Sequence, residues 1–271
     1  MVEGGNYLCL PTNPQYTPGQ YSDQVNDEGK VTEAEYYTST SGLPIYQNYS
    51  GQKIPCAVCR RYLEGSKSLM IPGQQTCPSG FQPDFQGYLF APPTSSSRGD
   101  YICMDSSPEG VGSSTYDAGS LLLSPVEAGQ GSASLMYYTG GYELTCVHCG
   151  SIASGSVYTR WGRTTCPSDA TAVYSGLMGG QIYSSNGGGL QYLCMSSSPQ
   201  YAEATPGVQY PSSAVYTTEY YSSPADLSST WNALQNYEAP CVVCQVGNGR
   251  GYSFMQPGRS SCPSGFNTDY S

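Results

Sequence analysis

The spacing of twelve cysteines constrains this chain more than any other feature. They fall into three short contexts that recur in one order. A C-x-x-C pair stands at Cys56 and Cys59 ("PCAVC"), at Cys146 and Cys149 ("TCVHC"), and at Cys241 and Cys244 ("PCVVC"). A Cys-Pro-Ser follows each pair by 17 or 18 residues, at Cys77, Cys166 and Cys262, after a Gly-rich turn. A Tyr-x-Cys stands at Cys103 and Cys194, 26 and 28 residues beyond a Cys-Pro-Ser. A third, at Cys9, has no Cys-Pro-Ser before it, and Cys262 has no Tyr-x-Cys after it. The gap from Cys9 to Cys56 is 47 residues, the same as from Cys194 to Cys241. Twelve cysteines therefore predict three sets of four with a period near ninety residues, one set being shared between the two ends of the chain.

The period predicts tandem disulfide-stapled small β modules joined by long Ser/Gly/Tyr-rich loops. A partial module covers 1–65, complete four-cysteine modules cover 66–155 and 156–245, and the segment 246–271 completes a partial module. Composition agrees with an all-β chain: 33 Gly, 20 Pro and 26 Tyr favour short strands and frequent turns. "GGNYLCLP", "RGDYICMD" and "LQYLCMS" read as strands around a cysteine. "SLMIPG" and "YSFMQPG" read as strands that end in a Pro-Gly turn. The segments holding "AEYYTS", "LMYYTG" and "TEYYSS" read as loops carrying a hairpin. Only "LSSTWNALQNY", residues 227–237, has a helical look.

The formal charge of −10 rests on ten basic residues that never cluster, which argues against a phosphate-binding surface. No apolar run approaches the roughly 18 residues of a membrane span. The start, "MVEGGNYLCLP", has neither a basic nor an apolar signal region, so the numbering is read as beginning at a mature or partial N-terminus. Regular cysteines and a Tyr-rich, weakly charged surface point to a secreted, extracellular protein.

Tandem C-x-x-C pairs are also a zinc signature, and a Cys₄ site within each unit is the competing reading. Their separation is wrong for one zinc ribbon, and the secretory context favours disulfides, with no metal and no cofactor expected. Four cysteines allow three pairings per unit, so connectivity is left open. A C-x-x-C along a strand points its thiols to opposite faces, which sends one toward Cys-Pro-Ser and the other toward Tyr-x-Cys. The only histidine, His148, lies between Cys146 and Cys149 and reads as structural, so no catalytic residue is assigned. Three surface features remain. Asn48 in "NYS" is a glycosylation candidate. Arg98, Gly99 and Asp100 form a weak adhesion tripeptide whose place beside a strand favours coincidence. The Tyr pairs 36–37, 137–138 and 220–221 offer oxidative cross-linking, with ordinary packing as the plainer account.

"YTRWGRTTCPSDATAVYSGLMGG" with "YLCMSSSPQY", "PCAVCRRYLEGSKSLMIPGQQTCPSGF", "LSPVEAG" and "YELTCVHCG" together resemble the C-terminal non-collagenous domain of sponge-type short-chain collagens, the spongin-like proteins. The resemblance implies an extracellular, disulfide-bonded, matrix-building protein and no catalytic residue. Two departures stand out: the motif order is rotated, and no Gly-X-Y run exists, so this chain cannot itself wind a triple helix.

The split set raises the question of what completes it. Either the two ends of one chain close a ring, or the front of one molecule pairs with the back of the next. Alternating motif details favour the second, which makes the chain a subunit of a head-to-tail homopolymer. Tyr7, Leu8, Cys9, Leu10, Cys56, Cys59 and Cys262 are then the joint, with a Cys9 disulfide to the neighbouring chain as the covalent lock. The alternative is a monomeric secreted carbohydrate- or cell-adhesion-binding module, with glycans or cell-surface receptors as partners.

Overall fold

The computed structural model describes residues 7–9, 33–38, 43–59, 67–96, 98–112, 121–130, 137–152, 154–182, 184–201, 213–221 and 233–247. Among them the protein is all-β, with thirteen strands, one four-residue helix and five disulfides. In chain order the elements are β1 (Ala34–Tyr36), α1 (Pro44–Gln47), β2 (Ser68–Pro72), β3 (Phe81–Ala91), β4 (Arg98–Gly99), β5 (Ile102–Asp105), β6 (Leu121–Ala128), β7 (Thr145–Ser151), β8 (Ser156–Trp161), β9 (Ala170–Gly180), β10 (Gly188–Gly189), β11 (Leu193–Ser196), β12 (Ser213–Thr217) and β13 (Pro240–Val246). Eleven strands form one mixed sheet along the path β2-β7-β3-β6-β12-β9-β13-β8, with β1 on β6, β5 on β3 and β11 on β9. The pair β4 and β10 stands apart.

The long strand β3 organises the first half. It pairs antiparallel with β7 along Phe81–Tyr88 and with β5 along Gly87–Phe90. The ladder to β7 shifts register between Pro83 and Phe85, where proline has no N–H to donate. The strand β9 takes the same part in the second half, between β13 and β11. Its ladder to β13 shifts opposite Val243 and Cys244, as the β3 ladder shifts opposite His148 and Cys149. The second and third C-x-x-C pairs each lie along a central strand, with Cys146, Cys149, Cys241 and Cys244 all fully buried, whereas Cys56 and Cys59 lie off the strands and are exposed.

Strands separated by a third strand should stand about 9.5 Å apart, twice the ordinary spacing. Yet Cys103 on β5 and Cys146 on β7, either side of β3, have Cα atoms 5.7 Å apart and share a disulfide. β5 therefore folds over the face of β3. The crossing is at Gly87, opposite both Cys146 and Asp105, where an added Cβ would lie 1.7 Å from the Met104 carbonyl oxygen. Cys194 and Cys241 repeat this across β9 at Gly176, whose added Cβ would meet the Met195 carbonyl oxygen at 1.7 Å. Glycine is required at both points by space, not by backbone conformation.

The segments read as hairpin-bearing loops hold local antiparallel bridges, Glu35 to Lys53, Glu127 to Glu143 and Glu219 to Glu238, and in addition contribute parallel strands. β6 takes β1 on its first half, with Ala34 opposite Leu121 and Tyr36 opposite Leu123. It takes β12 on its last part, with Ser213 opposite Val126 and Val215 opposite Ala128. Between them, Ser124 and Pro125 pair with the end of β3. Nothing in a Ser/Gly/Tyr-rich stretch announces pairing with another stretch ninety residues away. The helix expected over 227–237 is corrected for its described part, 233–237, where residues 233–236 form a turn with Asn236 at φ +64°. The one helix is α1, opened by Pro44 and packed through Tyr46. The whole of "YSFMQPG" lies outside the described residues.

Core side chains knit these segments together. Tyr36, Leu43 and Tyr46 pack with Tyr88, Phe90 and Leu123. A second cluster joins Leu89, Val126 and Leu144 to Leu193, Met195 and Val215. Replacing Gly87 by Ala should cost about 2 kcal/mol or more, through the clash with Met104. Gly247, whose added Cβ meets nothing within 4 Å, should tolerate Ala within about 0.5 kcal/mol. Equal midpoints for the two variants in denaturant would contradict the crossing.

Candidate assembly interface

The disulfides follow the strand-face argument. Cys149 and Cys244, the second cysteines of their pairs, bond the Cys-Pro-Ser cysteines Cys77 and Cys166. Cys146 and Cys241, the first cysteines, bond the Tyr-x-Cys cysteines Cys103 and Cys194. Cys56, again a first cysteine, bonds the Tyr-x-Cys cysteine Cys9 with Cα atoms 5.7 Å apart. A covalent joint through Cys9 is thereby corrected, because its sulfur is already engaged within its own chain. Cys59, the second cysteine of the first pair, is exposed and reduced. Cys262, the third Cys-Pro-Ser cysteine, and Leu10 lie outside the described residues.

Tyr7 is likewise placed within its own chain. It packs on the cluster of Tyr36, Tyr46 and Phe90, with its hydroxyl over Gly99. Burial, and secondarily the Asp100 carboxylate, pushes its phenol pKa up. Leu8, by contrast, is 67 % exposed. The neighbouring Arg98-Gly99-Asp100 is built into the fold. Arg98 and Gly99 pair in parallel with Gly188 and Gly189, and the Arg98 guanidinium donates to the Ser185 carbonyl at 2.8 Å. Gly99 is buried, so the tripeptide is not displayed on a loop tip. His148 stacks on Phe85, ring centroids 5.3 Å apart, with Nδ1 3.0 Å from Asp84 Oδ2. Asn48 is exposed at the end of α1, its carbonyl accepting from Gln52, which leaves the side chain open to glycosylation.

The two members of each tyrosine pair differ in exposure, with Tyr37 and Tyr220 half-buried. Tyr36 is 1 % exposed and Tyr138 9 %, while Tyr137 is 57 % and Tyr221 84 % exposed. A cross-link through both members of a pair does not fit the first two.

One contact between distant segments escaped sequence reasoning. Gln200, six residues after Cys194, reaches back to the turn before Cys77: its Oε1 accepts from the N–H groups of Gln75 (2.8 Å) and Thr76 (3.1 Å). Its own N–H donates to the Gly73 carbonyl at 2.8 Å. The recurring Pro-Gln after the Tyr-x-Cys, at 199–200 and again at 14–15, was the available signal.

No model of a known family matches the chain, and no curated protein shows significant similarity to it. No helix among the described residues is long and apolar enough to cross a membrane.

Burial controls the tyrosines that hold this structure. It pushes the Tyr36 phenol up to about 12, with Tyr49, Glu109 and Asp105 adding to the shift. It moves Tyr46, Tyr101, Tyr138 and Tyr174 in the same direction. An unfolded chain releases these protons near pH ~10 while the fold retains them. Stability should therefore be undiminished below pH ~10 and fall as pH rises through about 12. Phenolate absorbance should appear together with loss of tertiary signal; gradual ionisation with the fold intact would contradict the burial.

Proposed function

We propose that the protein is a secreted structural subunit that assembles head to tail into an extracellular fibril. Its modules are two complete four-cysteine units and a third divided between copies. The C-terminal segment of one copy supplies a Cys-Pro-Ser cysteine to the first C-x-x-C of the next. One observation carries the reading: Cys59 is exposed and reduced, whereas Cys149 and Cys244, in the same position, are buried in disulfides to Cys-Pro-Ser cysteines. Cys262 is the remaining cysteine of that type.

The covalent lock is thus assigned to Cys59 of one copy and Cys262 of another. Forming it joins two thiols through one S–S bond. Two protons and two electrons pass to a small-molecule disulfide of the glutathione type, which is reduced to two thiols. Such an oxidising medium also suits the five disulfides already present. A joint between unlike surfaces propagates, so the product is an open filament unless rotation closes it. The resemblance to spongin-like domains agrees with a matrix role, and Asn48 supplies an accessible glycan site on the same chain.

Non-reducing electrophoresis should give a ladder at multiples of 28.9 kDa that collapses on reduction. Cys59→Ser and Cys262→Ser should each abolish the ladder, and mixing the two variants should yield covalent dimers only. A 59–262 disulfide within a monomer would overturn the reading in favour of ring closure. A compact monomer with both thiols reduced in oxidising buffer would favour the binding module.

A further inference from the structure

Glu35, Glu127 and Glu219 stand 92 residues apart and sit in one recurring setting. Each forms an antiparallel bridge to the residue three before a C-x-x-C: Lys53, Glu143 and Glu238. The flanking hydrogen bonds correspond as well. Tyr36, Ala128 and Tyr220 donate to the carbonyls of Gln52, Tyr142 and Tyr237, and accept from Gly51, Gly141 and Asn236. Those last three share positive φ.

On the other side of these glutamates the first two positions are covered and the third is not. Glu35 lies opposite Leu122 and Glu127 opposite Ala214, in identical parallel registers. The N–H of Tyr37 donates to Leu123 and that of Gly129 to Val215. Glu35 and Glu127 are 0 % and 2 % exposed. Glu219 is exposed, Tyr221 is 84 % exposed, and among the described residues no strand lies alongside Thr218–Tyr221 there.

Two neighbouring features repeat the difference. Tyr7 is seated over Gly99, and Tyr101 over Gly189 with its hydroxyl donating to the Ala214 carbonyl; the third tyrosine of this kind, Tyr192, is 57 % exposed. The turn before Cys77 is capped by Gln200, whereas Arg163, Thr164 and Thr165 in the turn before Cys166 are exposed.

We infer that this end of the molecule, the edge Thr218–Tyr221 with Tyr192 and the turn 163–165, is a docking surface for the N-terminal segment of a second copy, which adds residues 29–31 as a parallel strand and Gln15 as the turn cap. The inference rests on the head-to-tail reading and specifies its non-covalent joint. Counting back from Glu35 as from Glu127 and Glu219 makes Gly29, Lys30 and Val31 the equivalents of Leu121–Leu123 and Ser213–Val215. Gln15 stands six residues after Cys9, as Gln200 does after Cys194. These occupants lie outside the described residues; the surface they fit does not. The register sets Lys30 opposite Glu219, a favourable cross-strand charge pair. An edge that turns exposed residues such as Glu219 and Tyr221 outward is the ordinary template for such strand addition.

The chain's own segment cannot reach this edge. Following the registers, Glu219 lies ten residue rises beyond the level of Glu35, about 33 Å. Lys30, five residues before Glu35, can be no more than about 18 Å from it.

A zero-length carbodiimide cross-linker applied to assembled full-length protein, prepared from equal parts ¹⁴N and ¹⁵N chains, tests the register. Mass spectrometry should find Lys30–Glu219 peptides of mixed isotope. Glu219→Lys should raise the critical concentration for assembly about two- to fivefold, and adding Lys30→Glu should restore it. A Cys59–Cys262 ladder without the Lys30–Glu219 link would overturn the inference and leave the polymer standing. Single-isotope Lys30–Glu219 peptides alone would overturn both.

Discussion

Disulfides that fold one strand over the face of another give this sheet its shape. Cys103 to Cys146 and Cys194 to Cys241 each tie together strands flanking a common neighbour, at a Cα separation near 5.7 Å. The neighbour must offer no side chain at the crossing, which Gly87 and Gly176 satisfy. Once folded over, the face encloses a narrow layer of apolar side chains, among them Leu89, Leu144 and Met195. The linking strands β1, β6 and β12 can then run past one another as a parallel relay. Of the other three disulfides, Cys77 to Cys149 and Cys166 to Cys244 anchor the Cys-Pro-Ser turns to the same central strands, and Cys9 to Cys56 closes the N-terminal part.

The relay makes each segment lean on the next. Leu123 is buried against Tyr36 and Tyr46, and Val215 against Val126 and Leu144; these are core contacts between parts of the chain about ninety residues apart. A structure built this way has no natural last member. Its final linking strand presents backbone and aromatic surface in a geometry that the earlier members keep covered. In the proposed assembly, complementation by another copy would satisfy the same physical demand that holds the interior together, with no specialised recognition surface beyond what folding already produces.

How much of this was legible in the sequence depends on the range of the interaction. The alternation of strand faces predicted that the two cysteines of a pair reach different contexts, as Cys146 and Cys149 and Cys241 and Cys244 do, because it is a local property of a strand; which cysteine takes which partner was not legible. The tight turn at Gly73, φ +73°, was likewise readable from its Pro-Gly. The parallel pairing of β1, β6 and β12 was not. Its registers set Glu35 opposite Leu122 and Glu127 opposite Ala214, charges in polar stretches whose burial depends on a distant partner. The Cys9 assignment failed for a related reason. Sequence order placed Cys9 at an end, but the 47-residue segment to Cys56 brings the two sulfurs together within one chain. "LSSTWNALQNY" misled because its Leu and Trp spacing suits a helix, whereas Asn236 is needed at positive φ to turn the chain into the C-x-x-C strand.

Every part of this account depends on the boundary between two copies reproducing the boundary between adjacent segments of one. Cryo-electron microscopy of the assembled protein measures that directly. The account predicts a filament in which the step from the segment around β8–β13 to the next copy's N-terminal part matches the step already present between the segments around β2–β7 and β8–β13. A two-fold symmetric dimer, or a filament whose contacts leave Tyr192 and Thr218–Tyr221 bare, would contradict it.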